Sequence, residues 1–132
     1  MNRYFRFSKI SEKTFKEILQ NFAEDQTATD TANWTDVSVR SVNAIFLRIR
    51  ERIATSQENR HRDAKRLGSD YEIGWWGDFD DERYIFHLDR MKKFHGISER
   101  TVYLHARESE FRYDHQSDIY EYLLLLLRKD PL

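Results

Sequence analysis

Between Ser38 and Ile53 the chain reads SVRSVNAIFLRIRERI, and Val42, Ile45, Phe46, Ile49 and Ile53 recur in it at intervals of three and four. That spacing puts every one of them on one face of a 3.6-residue repeat, whereas a strand would scatter them over two faces. The stretch is therefore expected to be a helix with one buried side, capped by the Ser38 hydroxyl. Such a stripe needs partners. Upstream, Ser11 can cap a helix whose Phe15, Ile18, Leu19 and Phe22 repeat the same pattern. Between the two, TATDTANWT, residues 27–35, predicts a short second helix with Ala28, Ala32 and Trp34 facing inward, ended by Asp36-Val37-Ser38. Three helices with a tight second turn read as a helix-turn-helix.

In that motif the third helix enters the major groove with its N-terminal residues foremost, because side chains reach base edges only there. Those residues are Arg40, Ser41, Asn43 and Ala44, with Arg48 one turn further on. Arg50 and Arg52, followed by Arg60, Arg62, Lys65 and Arg66, suit phosphate oxygens, which position a protein without reading sequence. The competing reading is a plain three-helix bundle with a solvated basic helix.

Charge is segregated along the chain, which matters because the formal net charge is only −1 and no uniform basic field exists. Residues 11–37 carry six acids against two lysines, while residues 38–66 carry eight basic side chains against three acids, so the acid-poor third helix contrasts with the first two. Residues 69–89 are acidic again and residues 90–107 basic. No cysteine is present, which excludes a disulfide framework, a thiolate metal site and a cysteine nucleophile, and fits a cytoplasmic protein. The five histidines lie scattered, without the paired spacing that zinc requires. Gly68, Gly74, Gly77 and Gly96 form no phosphate-cradling loop, and GWWG reads as a turn. No run of about 18 apolar residues is present, and MNRYFRFSKI lacks an apolar signal core, so no membrane insertion is expected.

The C-terminal half carries KKFHGISERTVYLHARESEFRYDH, residues 92–115, in which basic, histidine and aromatic residues interleave. After it, Ser117 can cap a helix containing Ile119 and the run from Leu123 to Leu127, which is apolar all round and needs burial on several sides or a partner. Strand-like composition is confined to Tyr71–Trp76 and Tyr84–Leu88.

The segment at residues 92–115, followed by IYEYLLLLLRKDPL, closely resembles the C-terminal end of insertion-sequence transposases of the ISXO-like type, which carry a DDE, RNase H-like domain. Residues 5–54 resemble the helix-turn-helix with which that family begins. Asp36 stands where the family usually has glycine. The resemblance implies binding to the ends of a mobile element. It also implies a carboxylate triad holding divalent metal ions, in which every carboxylate must converge. Asp81 aligns with the triad glutamate, Glu82 with it after a one-residue slip, and Asp70 with the second aspartate, while nothing supplies the first. Residues 55–80 are too few for the family's catalytic sheet. The structural alternative for Asp81 and Glu82 is an acidic helix N-terminus.

The expectation is thus a mainly α protein with at most a small β element in its middle. Residues 1–56 form a helix-turn-helix unit, 57–89 an acidic connection and 90–132 a helical C-terminal segment. It is expected to bind double-stranded DNA as an internally deleted transposase, without a cofactor; Mg²⁺ would be needed only if the catalytic site worked. Alternatives are a self-associating or protein-binding module using the leucine-rich helix, with a homo-oligomer as its product, and an active DDE transposase.

Overall fold

The computed structural model describes residues 1–66, 82–92 and 99–132. The protein is mainly α, and the described residues contain six helices and no strand. They are α1 (Glu12–Ala23), α2 (Ala28–Thr35), α3 (Val39–Arg66), α4 (Glu82–Met91), α5 (Glu99–Asp114) and α6 (Ile119–Lys129). Tyr71–Trp76 lies outside the described residues. Tyr84–Leu88, read from composition as strand-like, is helical within α4. His87 and Arg90 are buried and Phe86 half-buried, a helical rather than an alternating pattern. Glu82 in the first turn and Arg90 in the last complement the helix dipole.

Two compact units divide the chain, one made of Met1–Arg52 with Ser117–Leu132 and the other of Ile53–Gln116. In the first, Ser11 caps α1 by accepting a hydrogen bond from the Thr14 N–H at 3.1 Å. The apolar face of α1, Phe15, Ile18, Leu19 and Phe22, is buried. Thr27 caps α2 by accepting from the Asp30 N–H. Here the inward face differs from expectation, since Thr31 and Ala32 are buried but Trp34 is 76% exposed. The α2 helix is too short to turn three positions of differing phase toward one neighbour, and Thr31 fills the contact after satisfying its hydroxyl on the Thr27 carbonyl at 2.9 Å. Ser38 caps α3, accepting from the Ser41 N–H at 3.2 Å. The five-residue stripe of α3 is buried along its whole length, and Phe46 meets Phe22 of α1 edge-on at 5.1 Å.

The α6 helix packs against α1. Its N-cap is Asp118 rather than Ser117, and that residue makes no side-chain capping bond. Leu123 and Leu127 are fully buried, whereas Leu125 is 71% exposed. The chain end completes this unit. The Leu132 N–H donates to the Tyr4 carbonyl at 2.9 Å, and the Leu132 carbonyl accepts from the Arg6 N–H at 3.0 Å.

In the second unit α4 packs against α5. Residues 105–112 of α5 are buried without interruption, although most are polar or charged. Glu108 lies at the centre, its Oε2 accepting from Arg90 at 2.9 Å and from Arg112 at 2.8 Å. Arg90 also donates to Ser109 Oγ at 2.6 Å, and His87 Nδ1 lies 2.7 Å from the same oxygen. Burial, with the neighbouring Arg90, pushes the His87 imidazole below its ordinary pKa against the opposing pull of Glu108. Glu110 accepts from Gln57 of α3 at 2.8 Å and from Arg107 at 3.1 Å. The buried charges are thus hydrogen-bonded, as burial without ruinous desolvation requires.

Candidate nucleic-acid interface

The α2 and α3 helices are joined by three residues, 36–38. Asp36 ends α2 in the left-handed conformation, φ 61° and ψ 22°, and its N–H returns to the Ala32 carbonyl. The reversal depends on that one residue, because a right-handed conformation there would prolong α2. With the stripe of α3 facing inward, the opposite side of its first three turns is turned to solvent. Arg40, Ser41, Asn43 and Ala44 are all exposed, flanked by Val39 and Leu47, 40% and 38% exposed. Arg40 makes no ion pair among the described residues. The Ser41 hydroxyl accepts a 2.9 Å hydrogen bond from Ser38.

Arg48, Arg50 and Arg52 of this helix are engaged within the unit. The Arg48 guanidinium lies 5.0 Å from the centre of the Phe5 ring. Arg50 lies 5.5 Å from the Phe22 ring and 5.7 Å from the Phe46 ring. All three contacts have cation–π geometry, and both arginines are half-buried. Arg52 binds the C-terminal segment, with Nε 3.2 Å from the Asp130 carboxylate and Nη2 donating to the Pro131 carbonyl at 3.0 Å. Arg40, Ser41, Asn43 and Ala44 therefore share one open face, whereas Arg48, expected beside them, is engaged with Phe5, and Arg50 and Arg52, expected to touch phosphate, are tied to the surrounding core and chain end. Arg60, further along α3, lies in the other unit, 3.8 Å from Asp114.

The first two helices present a different chemistry. A shallow crevice of about 330 Å³ is lined by Glu17, Asn21, Glu24, Gln26, Trp34 and Thr35. On the segment before α1, Arg3 is paired with Glu12 at 2.9 Å. That bond draws the Glu12 carboxyl down to about 2. Arg6, Phe7 and Lys9 are exposed. Sequence reasoning gave these three residues no role, and the signal that could have singled them out was the alternation of basic and aromatic side chains in NRYFRF.

Of the carboxylates aligned with a catalytic triad, Asp70 and Asp81 lie outside the described residues. Glu82 opens α4, exposed, and accepts a 2.8 Å hydrogen bond from the Tyr113 hydroxyl. No helix among the described residues is long and apolar enough to cross a membrane. No protein-family model, curated protein or solved structure matches this chain.

Proposed function

We propose that the first unit binds double-stranded DNA by laying the open face of α3 in the major groove. The observation that carries the reading is the set Arg40, Ser41, Asn43 and Ala44, exposed together on the first turns of a helix that follows a three-residue reversal. Arg40 has the donor fork for guanine O6 and N7, Asn43 the donor and acceptor for adenine, and Ala44 an apolar surface for a thymine methyl. The resemblance to ISXO-like transposases makes the inverted-repeat ends of a mobile element the first duplexes to try. With its carboxylate set incomplete in the sequence, we propose that the chain occupies such ends without cutting or joining them, inside the cytoplasm where element DNA lies. Self-association through α6 is the competing reading, and only exposed Leu125 favours it, since Leu123 and Leu127 are enclosed within the unit.

The test is a titration of element-end and scrambled duplexes at several salt concentrations with wild type, Arg40→Ala and Arg52→Ala. Arg40→Ala should cost about 1–3 kcal/mol on the preferred duplex and relax discrimination at one base pair. Arg52→Ala should lower the unfolding midpoint and leave the salt slope unchanged, because its guanidinium holds Asp130 and Pro131 rather than a phosphate. Wild-type affinity that ignores salt, or that Arg40→Ala leaves intact, would sink the proposal.

A further inference from the structure

Residues 1–10, ahead of α1, form no regular element, yet side-chain and backbone hydrogen bonds fix them. The Asn2 amide oxygen accepts from the Tyr4 and Phe5 N–H groups at 3.0 and 3.1 Å, and its nitrogen donates to the Ile10 carbonyl at 3.1 Å. Tyr4 stacks on Phe15 and Phe5 meets the same ring edge-on. The Arg6 N–H is held by the Leu132 carbonyl, and the Ile10 N–H by Ser8 Oγ. Between these fixed points Phe7 stands fully in solvent, 104% exposed, at a φ of 60°. A left-handed conformation is unfavourable for a side chain of this kind, and a solvated phenyl ring gains nothing from burial. A loop braced on both sides of so disfavoured a residue presents that ring outward.

The ring's neighbours identify what would meet it. Arg6 and Lys9 flank it, exposed and without an ion pair among the described residues, so the loop offers an aromatic surface between two cations. That combination suits a polyanion with stackable groups. Its place in the unit is also specific, because Phe5, two residues before the ring, lies under the Arg48 guanidinium of α3. The loop therefore borders α3 at Arg48, about two turns beyond Ser41.

We propose that residues 6–9 are a second DNA-contacting element, resting on the reading of α3 as the groove-binding helix. Arg6 and Lys9 meet phosphates beside the major-groove site, and Phe7 packs against the sugars and base edges of the adjoining minor groove, where proteins commonly place apolar wedges. This assigns the phosphate contacts to the N-terminal loop, in place of the arginines of α3 that are engaged within the unit.

The experiment compares wild type, Phe7→Ala, the double variant Arg6→Ala/Lys9→Ala, and Arg40→Ala on one preferred duplex across a salt series. Circular dichroism serves as the folding control, and sedimentation measures self-association. The double variant should reduce the slope of log K against log salt by about 1.8, or about 0.9 for each lost phosphate contact. Phe7→Ala should weaken binding about tenfold with an unchanged spectrum. If Arg40→Ala is defective but Phe7→Ala and the double variant bind like wild type, the second contact is refuted and the α3 reading stands. If no variant and no wild type binds any duplex, both fall together. Loss of self-association in Phe7→Ala with DNA affinity intact would also overturn the proposal and assign the ring to a second copy of the chain.

Discussion

Asp36 shows how one residue sets the spacing of a motif. Its left-handed backbone, φ 61°, ends α2 and lets α3 start three residues later. The conformation disfavours any residue with a Cβ, by about 1–2 kcal/mol in general and less for aspartate, whereas glycine adopts it freely. The Asp36 side chain is exposed, so its removal deletes no packing. Asp36→Gly should therefore raise stability by up to about 1 kcal/mol after the greater unfolded-chain entropy of glycine is subtracted. The expected sign is a higher urea midpoint at constant m-value, and a lower midpoint would show that the aspartate contributes a contact of its own. Glu108 illustrates the opposite case. It is fully buried, and its stability depends on the two guanidiniums that Arg90 and Arg112 bring to one oxygen.

Among the elements, α6 separates positions that look alike in sequence. Leu127 has no exposed surface and Leu125 is 71% exposed, although both belong to one unbroken leucine run. Leu127→Ala should cost about 2–5 kcal/mol, and Leu125→Ala no more than about 0.5, by urea unfolding. Equal losses would mean that Leu125 is covered in solution. The elements whose pattern is local were legible in the sequence: Ser11 and Ser38 cap their helices, and the stripes of α1 and α3 are buried as their spacing requires. What escaped depended on partners far along the chain. Arg52 reads as a phosphate ligand until Asp130 is seen beside it, 78 residues away. The burial of α5 is not visible in its sequence, because amphipathic spacing assumes that charge points outward. Its Glu108, Glu110 and Arg112 are buried instead, each held by a charge or amide partner. The candidate reading face of α3 was legible for the same reason as its core, since fixing the inward residues fixes the outward ones.

At the scale of the whole molecule, the first unit is assembled from the two ends of the chain. The α6 helix lies against α1, Leu132 exchanges backbone hydrogen bonds with Tyr4 and Arg6, and Arg52 grips the carbonyl of Pro131. A ribosome releases these pieces far apart in time. At about 5–20 residues per second, residues 117–132 emerge on the order of ten seconds after the segment they cover. Through that interval the α1 surface later covered by α6 has no cover, and the unit carrying the α3 face cannot finish folding. Protein synthesis itself should then delay the moment at which a newborn chain becomes able to hold a ligand. Chains stopped after Gln116 should be cut readily by protease within residues 1–52 while longer chains resist, and equal resistance of the two would show that the N-terminal helices stand without the end of the chain.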